Sequence, residues 1–293
     1  MVEHRFGGAW TERKLEALRQ YLVQYQLIFK KHPAAAKLKT IYVDAFAGTG
    51  EREQEAQGGD HGLFGYDEEG RGYREGSVHK ALSIENKFHE YVFIERKPKH
   101  ASALRRMLRE QFPQLVNRCT VHEEDANRWL QLWCASQDWR GQRAVVFLDP
   151  YGMNVEWATI EAIAKTKAID LWLLFPFAIG AGRMMPKDAP PDSLWARKLT
   201  AIFGTDAWKT RFYGESTRRG LFGDEGGIVR IAGVDEILAF FLERLATVFA
   251  GIVEHPMILE NSKHSPMYAL CFAAGNPKGA PTAVRIASYL TGH

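Results

Sequence analysis

Residues 40–50 read TIYVDAFAGTG, which is a short apolar run, an aspartate at its end and a turn with two glycines. The run of residues 40–44 has the nearly continuous apolar, β-branched character of a strand that is buried on both faces. Gly48 and Gly50 let the backbone turn tightly and approach a ligand without a side chain in between. The stretch therefore predicts a buried parallel strand whose carboxyl end forms part of a binding site.

Several more short apolar runs follow, and helical periodicity separates the later ones. Strands that alternate with helices predict an α/β fold, with a doubly wound and mostly parallel sheet of about seven strands, helices on both faces and right-handed crossovers. The predicted strands after the first are residues 91–95, 118–122, 144–149 and 169–175, with two further candidates around 252–259 and 267–274.

An amphipathic helix is predicted before the first strand, over residues 11–30. Leu15, Leu18 and Leu22 fall on one of its faces, and Thr11 is a plausible N-cap. Two stretches, residues 51–75 and residues 183–250, interrupt the alternation of strands and helices. Residues 51–75 are polar and glycine-rich, which indicates either a functional loop over a ligand or a disordered insert.

The bulk composition is that of an ordinary soluble domain, with a net charge of +3 and three cysteines in the whole chain. Neither a disulfide framework nor a zinc-binding spacing is present, no signal peptide begins the chain, and no apolar run approaches the length of a bilayer span. We therefore expect a reduced, metal-free cytoplasmic protein. Residues 96–100 and Arg105, Arg106 and Arg109 form a basic cluster, for which a solvated helix face is the favoured interpretation.

The order of acid and glycines in residues 44–50 indicates which ligand binds there. In the dinucleotide fingerprint the glycines come first and the acid about 20 residues later. Here Asp44 comes first, four residues before Gly48. An anion at that place suits a cationic ligand better than a pyrophosphate, which favours S-adenosylmethionine and disfavours NAD. A glycine turn after a buried strand, without a ligand, is the structural alternative.

Three further acids follow the ends of successive predicted strands. Glu95 closes the second strand, where it could accept hydrogen bonds from ribose hydroxyls. Asp125 follows the third strand, where it could accept from an adenine amino group or simply cap the next helix. Asp149 closes the fourth strand in the sequence DPYG, residues 149–152. The carboxyl ends of the strands are where open α/β sheets bind their ligands.

These residues resemble the class I S-adenosylmethionine-dependent methyltransferase superfamily over residues 36–180. More narrowly, the chain looks like the three-Cys-motif partner proteins of bacteria, which are named for a genomically paired protein with three cysteines. The matching segments are the YL…Y pattern at Tyr21, Leu22 and Tyr25, DAFAGTG at 44–50, Gly76-Ser77, FIE at 93–95, DAN at 125–127 and LDPYG at 148–152.

The resemblance implies a role for each matching position. The cofactor would be S-adenosylmethionine, held at its methionine part by Asp44, Phe46, Ala47, Gly48 and Gly50, at its ribose by Glu95, and at its adenine edge by Asp125, Ala126 and Asn127. Asp149, Pro150 and Tyr151 occupy the place of the D-P-P-Y motif of amino-methyltransferases, in which the acid and a proline carbonyl accept from the target amino group and the aromatic ring stacks on the base. This sequence has one proline where that motif has two, so its turn departs from the pattern.

The resemblance also implies a domain organisation and two alternative functions. Residues 1–35 would form an N-terminal helix, residues 36–182 and 251–293 a Rossmann-like cofactor-binding domain, and residues 183–250 a helical insertion. The first function is a methyltransferase whose acceptor is an amino group of a nucleic-acid base or nucleotide. The second is a non-catalytic or accessory protein with a methyltransferase fold, acting in a complex with its paired three-Cys-motif protein. We expect no membrane partner.

Overall fold

The computed structural model describes residues 9–49, 76–216, 219–220, 223–224 and 227–292. Gly50 and the predicted loop at 51–75 lie outside these ranges. Within them, no helix is both long enough and apolar enough to cross a membrane. The helices are α1 (Ala9–Lys31), α2 (Ser77–Ser83), α3 (Pro98–Gln111), α4 (Ala126–Ser136), α5 (Trp157–Lys165), α6 (Gly182–Met184), α7 (Ser193–Phe203), α8 (Ala207–Phe212), α9 (Val234–Val248) and α10 (Ala280–Thr291).

The strands alternate with these helices through the first half of the chain, as the sequence predicts. They are β1 (Lys39–Asp44), β2 (Glu90–Ile94), β3 (Cys119–His122), β4 (Gln142–Leu148), β5 (Ile169–Phe175), β6 (Tyr213–Glu215), β7 (Arg219–Gly220), β8 (Gly223–Asp224), β9 (Ile228–Arg230), β10 (Gly251–Ile252), β11 (Met257–Glu260) and β12 (Pro266–Ala274).

The main sheet has the order β10–β12–β5–β4–β1–β2–β3, with β11 also paired to β12. Strands β1 to β5 are parallel, whereas β12 runs antiparallel to β5. Both β10 and β11 pair with β12 in antiparallel register, so together they occupy one position at the edge of the sheet. The sheet thus has seven positions across, which confirms the predicted α/β fold. The strand order reverses between β1 and β4, the place where such sheets form a ligand crevice.

Helices cover both faces of this sheet, and each face has its own apolar core. On one face α1, α2, α3 and α10 pack over residues such as Tyr42, Phe147 and Trp172. On the other face α4, α5 and the helices α6 to α9 pack over the alternate residues, such as Val43 and Val146. Full burial of one large apolar side chain stabilises the fold by about 2 kcal/mol. Each layer of helices buries many such side chains, so both layers contribute to the stability of the fold.

The first helix is longer than its sequence pattern predicts. It includes Ala9 and Trp10, so the prediction of Thr11 as its N-cap is wrong. Trp10 stacks on Tyr268 of β12 with a ring-centroid distance of 5.3 Å, and Thr11 is itself buried. The contact made by Trp10 extends the buried face of the helix past Thr11, which explains why the helix does not begin there.

The described residues between β5 and β10 form a π-helix (Phe177–Ala181), the α-helices α6 to α9 and also short strands that the sequence pattern does not predict. Strands β6 and β9 pair with each other, as do β7 and β8, in two small antiparallel sheets. Each of these strands has two or three residues. A run that short is below the length at which an alternating apolar pattern can be recognised.

Gly204 ends α7 and holds this segment close to α5. Its φ is +67°, and its N–H donates to the carbonyl of Thr200 over 2.8 Å. A Cβ at this position would lie 2.0 Å from Cδ1 of Trp157, the first residue of α5. The close approach therefore requires a glycine for two independent reasons, its backbone conformation and the space available.

We expect Gly204→Ala to lower the free energy of unfolding by about 2–5 kcal/mol, since the left-handed backbone costs about 1–2 kcal/mol and the overpacking about 1–3 kcal/mol. Urea unfolding followed by tryptophan fluorescence measures the loss. The matched control is Gly141→Ala, where a Cβ would meet nothing within 4 Å. Equal stability of the two variants would contradict this account of the α7–α5 contact.

Candidate functional site

Three acidic side chains are brought together by the register of the parallel strands. Asp44, the last residue of β1, pairs with Phe93 of β2 and with Phe147 of β4. Glu95 and Asp149 each lie two residues beyond those partners. Because side chains alternate along a strand, all three acids project from the same face at the carboxyl edge of the sheet. Asp44 ends β1 and Asp149 follows β4, the two strands between which the strand order reverses.

Asp44 is fully buried, and its carboxylate is only partly satisfied. Oδ1 accepts from the N–H of Phe46 over 3.3 Å. Among the described residues, Oδ2 has no partner at hydrogen-bond distance. The side chains of Ser77 and Tyr42 also interact with this carboxyl group. Burial raises the pKa of Asp44 to about 7; Ser77, Phe46 and Lys14 oppose that rise, while the neighbouring charge of Asp149 adds to it. A cation placed against Oδ2 would favour the ionised carboxylate.

Lys14 of α1 is the cation of this acidic cluster, and it is not among the site residues predicted from the sequence. Its side chain is only 2% exposed, and its Nζ forms an ion pair with Oδ2 of Asp149. The same ammonium lies 5.5 Å from the ring centroid of Trp10 and 5.9 Å from that of Phe147. A buried ammonium is stable only when it is paired, so this contact joins α1 to the end of β4.

One signal in the sequence could have identified Lys14. The buried face of α1 includes Leu18, Tyr21 and Tyr25, which follow Lys14 by 4, 7 and 11 residues. That is the spacing of one helical face, so Lys14 is a charged residue on the apolar stripe. A lysine at such a position indicates a buried carboxylate partner on the element against which the helix packs.

The glycine turn after β1 is held on both sides and is open at its tip. The N–H of Ala45 donates to Phe147 over 3.1 Å, and the N–H of Ala47 donates to Ile94 over 3.0 Å. Gly48 has a φ of +60°, and a Cβ built on it would meet no described residue within 4 Å. Among the described residues, nothing therefore covers the backbone of the turn beside Asp44, whereas Phe46 packs against the core of the opposite face.

Glu95 and Asp125 are at the ends of the next two strands, and each already holds backbone N–H groups. Oε1 of Glu95 accepts from the N–H of Lys97 over 2.7 Å, and its Oε2 lies 3.9 Å from Nδ1 of His100. Oδ1 of Asp125 accepts from the N–H groups of Asn127 and Arg128 over 3.0 and 3.1 Å. Asp125 is thus the N-cap of α4, and its Oδ2 takes no part in the cap.

Asn127, placed by the resemblance at the adenine edge, uses its side chain to hold the loop that follows β4. Its Nδ2 donates to the carbonyl of Asn154 over 2.7 Å. Its Oδ1 accepts from the N–H of Glu156 over 3.0 Å and from the hydroxyl of Thr159 over 2.9 Å. Its neighbour Ala126 is buried in the core. These bonds fix the position of the DPYG loop relative to α4.

The DPYG loop directs its acid inward and its aromatic ring outward. Asp149 is 28% exposed at its ion pair with Lys14, Pro150 is buried, and Tyr151 is 58% exposed. Gly152 has a φ of +64°, which allows the turn to reverse there. Met153 is buried against Gly180, where a Cβ would lie 2.8 Å from its Sδ.

The arrangement is a site with an excess of negative charge. Asp44 and Asp149 share one ammonium, that of Lys14, so the cluster carries one uncompensated negative charge when both acids are ionised. The uncompensated acid is the buried one, beside the open turn at Gly48. Such a cluster favours a ligand with a positive charge and disfavours an anionic one.

The raised pKa of Asp44 predicts a specific dependence of stability on pH. Between pH 3.8 and about 7 the folded chain holds a proton that an unfolded Asp releases. As the pH rises through this interval, the free energy of unfolding of the wild type therefore falls relative to that of Asp44→Asn, by up to about 1.4 kcal/mol per pH unit. Above the interval the difference between the two proteins is constant.

Urea unfolding of both proteins at several pH values between 4.5 and 8 measures this difference. Asp170 is also buried with a pKa raised to about 6, but it is present in both proteins and its contribution cancels. A difference that does not change with pH would show that Asp44 titrates normally in the fold.

No known family model and no curated protein sequence matches the chain. Solved structures with a similar chain path include a protein from Legionella pneumophila, with a TM-score of 0.47 and 10% identity over 98% of this chain and 92% of that one. Another is Trm1 from Pyrococcus horikoshii in complex with S-adenosyl-L-methionine, with a TM-score of 0.37 and 11% identity over 95% of this chain and 71% of that one.

A third similar structure is an rRNA methylase from Streptococcus thermophilus, with a TM-score of 0.31 and 10% identity over 73% of this chain and 95% of that one. Likenesses this distant do not identify an activity. The residues of the site, rather than these neighbours, support the functional proposal below, and membership of the three-Cys-motif partner family stays a prediction.

Proposed function

We propose that this chain is an S-adenosylmethionine-dependent methyltransferase whose acceptor is an amino group of a nucleic-acid base or nucleotide. The observation that supports it most directly is the buried Oδ2 of Asp44, which lacks a partner among the described residues and lies beside an open glycine turn. A buried polar atom of this kind is stable when a ligand satisfies it.

The charge of the site distinguishes between two kinds of nucleoside cofactor. S-adenosylmethionine carries a positive sulfonium, a positive amino group and one carboxylate, so its net charge is positive, whereas NAD presents a pyrophosphate. The cluster of Asp44, Asp149 and Lys14 has one more acid than cation. A pyrophosphate against this cluster would add like charge to a buried carboxylate, and this disfavours NAD as the ligand.

Each side of the proposed cofactor has candidate contacts. Asp44, Phe46, Ala47, Gly48 and Gly50 would hold its methionine part, and Glu95 its ribose. Asp125 and Ala126 would face the adenine. Asp125 suits this role because its Oδ2 takes no part in capping α4. Asn127 would act there through its backbone, since its side chain holds the loop after β4.

Asp149, Pro150 and Tyr151 would hold the acceptor. Lys14 binds Oδ2 of Asp149, which fixes the carboxylate and leaves Oδ1 to accept from an acceptor N–H. Tyr151, more than half exposed, offers a ring on which a base can stack. A base within a duplex would have to be flipped out to reach this place.

Methyl transfer is a displacement in which the acceptor nitrogen forms a bond to the methyl carbon while the carbon–sulfur bond breaks. When bound, the cofactor would supply the activated methyl group and keep the electron pair on its sulfur, and the acceptor nitrogen would release its proton to Asp149 or to water. The chain contributes by holding the nitrogen aligned with the methyl carbon, and Asp149 contributes by accepting the hydrogen bond that orients the amino group.

Two variants separate cofactor binding from transfer. In calorimetry at pH 8, Asp44→Asn should bind S-adenosylmethionine at least tenfold more weakly than the wild type, because the buried negative charge is lost. Tyr151→Ala, which leaves the charges of Asp44, Asp149 and Lys14 unchanged, should bind it within a few-fold of the wild type and yet transfer radiolabelled methyl to RNA, DNA or nucleotides at least about tenfold more slowly, because stacking of a base on an aromatic ring contributes about 1–3 kcal/mol.

Binding of NAD but not of S-adenosylmethionine would refute the assignment. Tight cofactor binding without transfer to nucleic acid, to nucleotides or to the paired three-Cys-motif protein would instead support the accessory function. In that case Tyr151→Ala would keep the cofactor affinity of the wild type, and neither protein would transfer methyl to any of these acceptors.

A further inference from the structure

Helix α3 carries a concentration of positive charge that the site described above does not use. From residue 96 to residue 109 the chain contains six basic residues and no acidic one, although the whole chain has nearly equal numbers, 38 basic and 35 acidic. We define the basic stripe as the exposed cations of this segment, which are Arg96, Lys97, Lys99, Arg106 and Arg109.

The stripe is a single surface because the opposite side of the helix is buried. Ala101, Leu104, Met107 and Leu108 pack into the core. The exposed cations therefore project to solvent along a helix that rises about 17 Å between Pro98 and Arg109. The first acid to follow is Glu110, in the last turn of the helix.

Four of these cations have no acidic partner among the residues that the structure describes. Arg105, which is less exposed, binds Glu123 and the carbonyl of Val121. By contrast, none of the ion pairs among the described residues includes Arg96, Lys97, Arg106 or Arg109. The sequence analysis favoured a solvated helix face, but such faces normally alternate their charges.

The stripe is also unfavourable for the helix itself. The N-cap of α3 is Lys97, which makes no side-chain cap, and the first turn contains no acidic residue. Cations at the positive end of a helix dipole are destabilising. A local arrangement that weakens the helix, and in which no described acid pairs with Arg96, Lys97, Arg106 or Arg109, indicates a function that requires it. An external polyanion would supply that compensation.

We propose that the basic stripe binds the sugar–phosphate backbone of a nucleic-acid strand. This inference rests on the proposed function, which identifies the bound strand as the methyl acceptor. Arg96 and Lys97 directly follow Glu95 at the rim of the site, and the stripe leads away from the site. A ligand that reaches both the stripe and Asp149 is a polynucleotide rather than a free nucleotide. A lipid surface is disfavoured because the apolar face of α3 is buried in the core, and a membrane-bound helix would insert that face.

The test measures binding to a fluorescein-labelled, mixed-sequence single strand of about 20 nucleotides, as RNA and as DNA, by anisotropy over a series of salt concentrations. Arg106→Gln/Arg109→Gln removes two charges from the stripe, outside the cofactor and acceptor residues. Arg285→Gln/Lys165→Gln is the matched control, since both residues are exposed on α10 and α5 and the net charge changes equally.

The wild type should bind with an affinity that falls steeply with salt. The stripe variant should bind about tenfold more weakly at low salt, and the slope of log affinity against log salt should be smaller by about 1.4, or about 0.7 for each lost contact to a single strand. The control should match the wild type. Equal affinities and slopes for all three proteins would overturn the proposal, as would binding to vesicles with anionic headgroups but to neither oligonucleotide.

The result is independent of the cofactor assignment. If the stripe variant loses oligonucleotide affinity while no protein binds S-adenosylmethionine in calorimetry, the stripe is confirmed and the proposed function fails. If the variant keeps full oligonucleotide affinity while the wild type binds S-adenosylmethionine, the proposed function survives and the stripe does not.

Discussion

The ion pair between Lys14 and Asp149 is the interaction on which the site depends. It links the N-terminal helix to the end of β4, two elements separated by 135 residues of sequence. The ammonium is buried, so it can be tolerated only while the carboxylate remains in place, and loss of Asp149 would leave a buried charge that costs about 3–5 kcal/mol. The same pair also decides the electrostatics of its surroundings, because Lys14 is the cation that two carboxylates share.

Asp44 is the member of this cluster that the fold leaves incompletely compensated. Stability alone would favour a neutral side chain at its position, since burial raises its pKa to about 7. The chain instead keeps an acid there, next to a glycine turn that is open at its tip. Buried groups that are costly and unsatisfied in the free protein are the usual mark of a ligand site, because the ligand supplies the missing interaction.

Much of the fold could be predicted from the sequence because its signals are local. Four of the first five strands, all except β3, contain a contiguous apolar run, and Asp44, Glu95 and Asp149 lie at the ends of such runs. The parallel order of the strands then brings these acids to one edge without further information. Lys14 was not predicted because its partner is distant in sequence, although its place on the apolar stripe of α1 was visible.

Other features depend on contacts that no local pattern encodes. Thr11 has the character of an N-cap, but the stacking of Trp10 on Tyr268 extends the helix beyond it. Asn127 sits in a motif that resembles an adenine contact, whereas its side chain bonds to residues 27 to 32 positions away. The small sheets after β5 are too short to produce a pattern. In each case tertiary contacts prevailed over local preference.

The central claim is that a cationic ligand satisfies Asp44, and the proton balance of binding tests it most directly. S-adenosylmethionine is titrated into the wild type at pH 6 by calorimetry, in two buffers with different ionisation enthalpies. Asp44 is mostly protonated at that pH, so a cation bound against it should displace most of one proton, which the buffer takes up. The binding enthalpies observed in the two buffers should therefore differ by most of the difference between the ionisation enthalpies of the buffers. Binding with the same enthalpy in both buffers, or with uptake of a proton, would contradict the account.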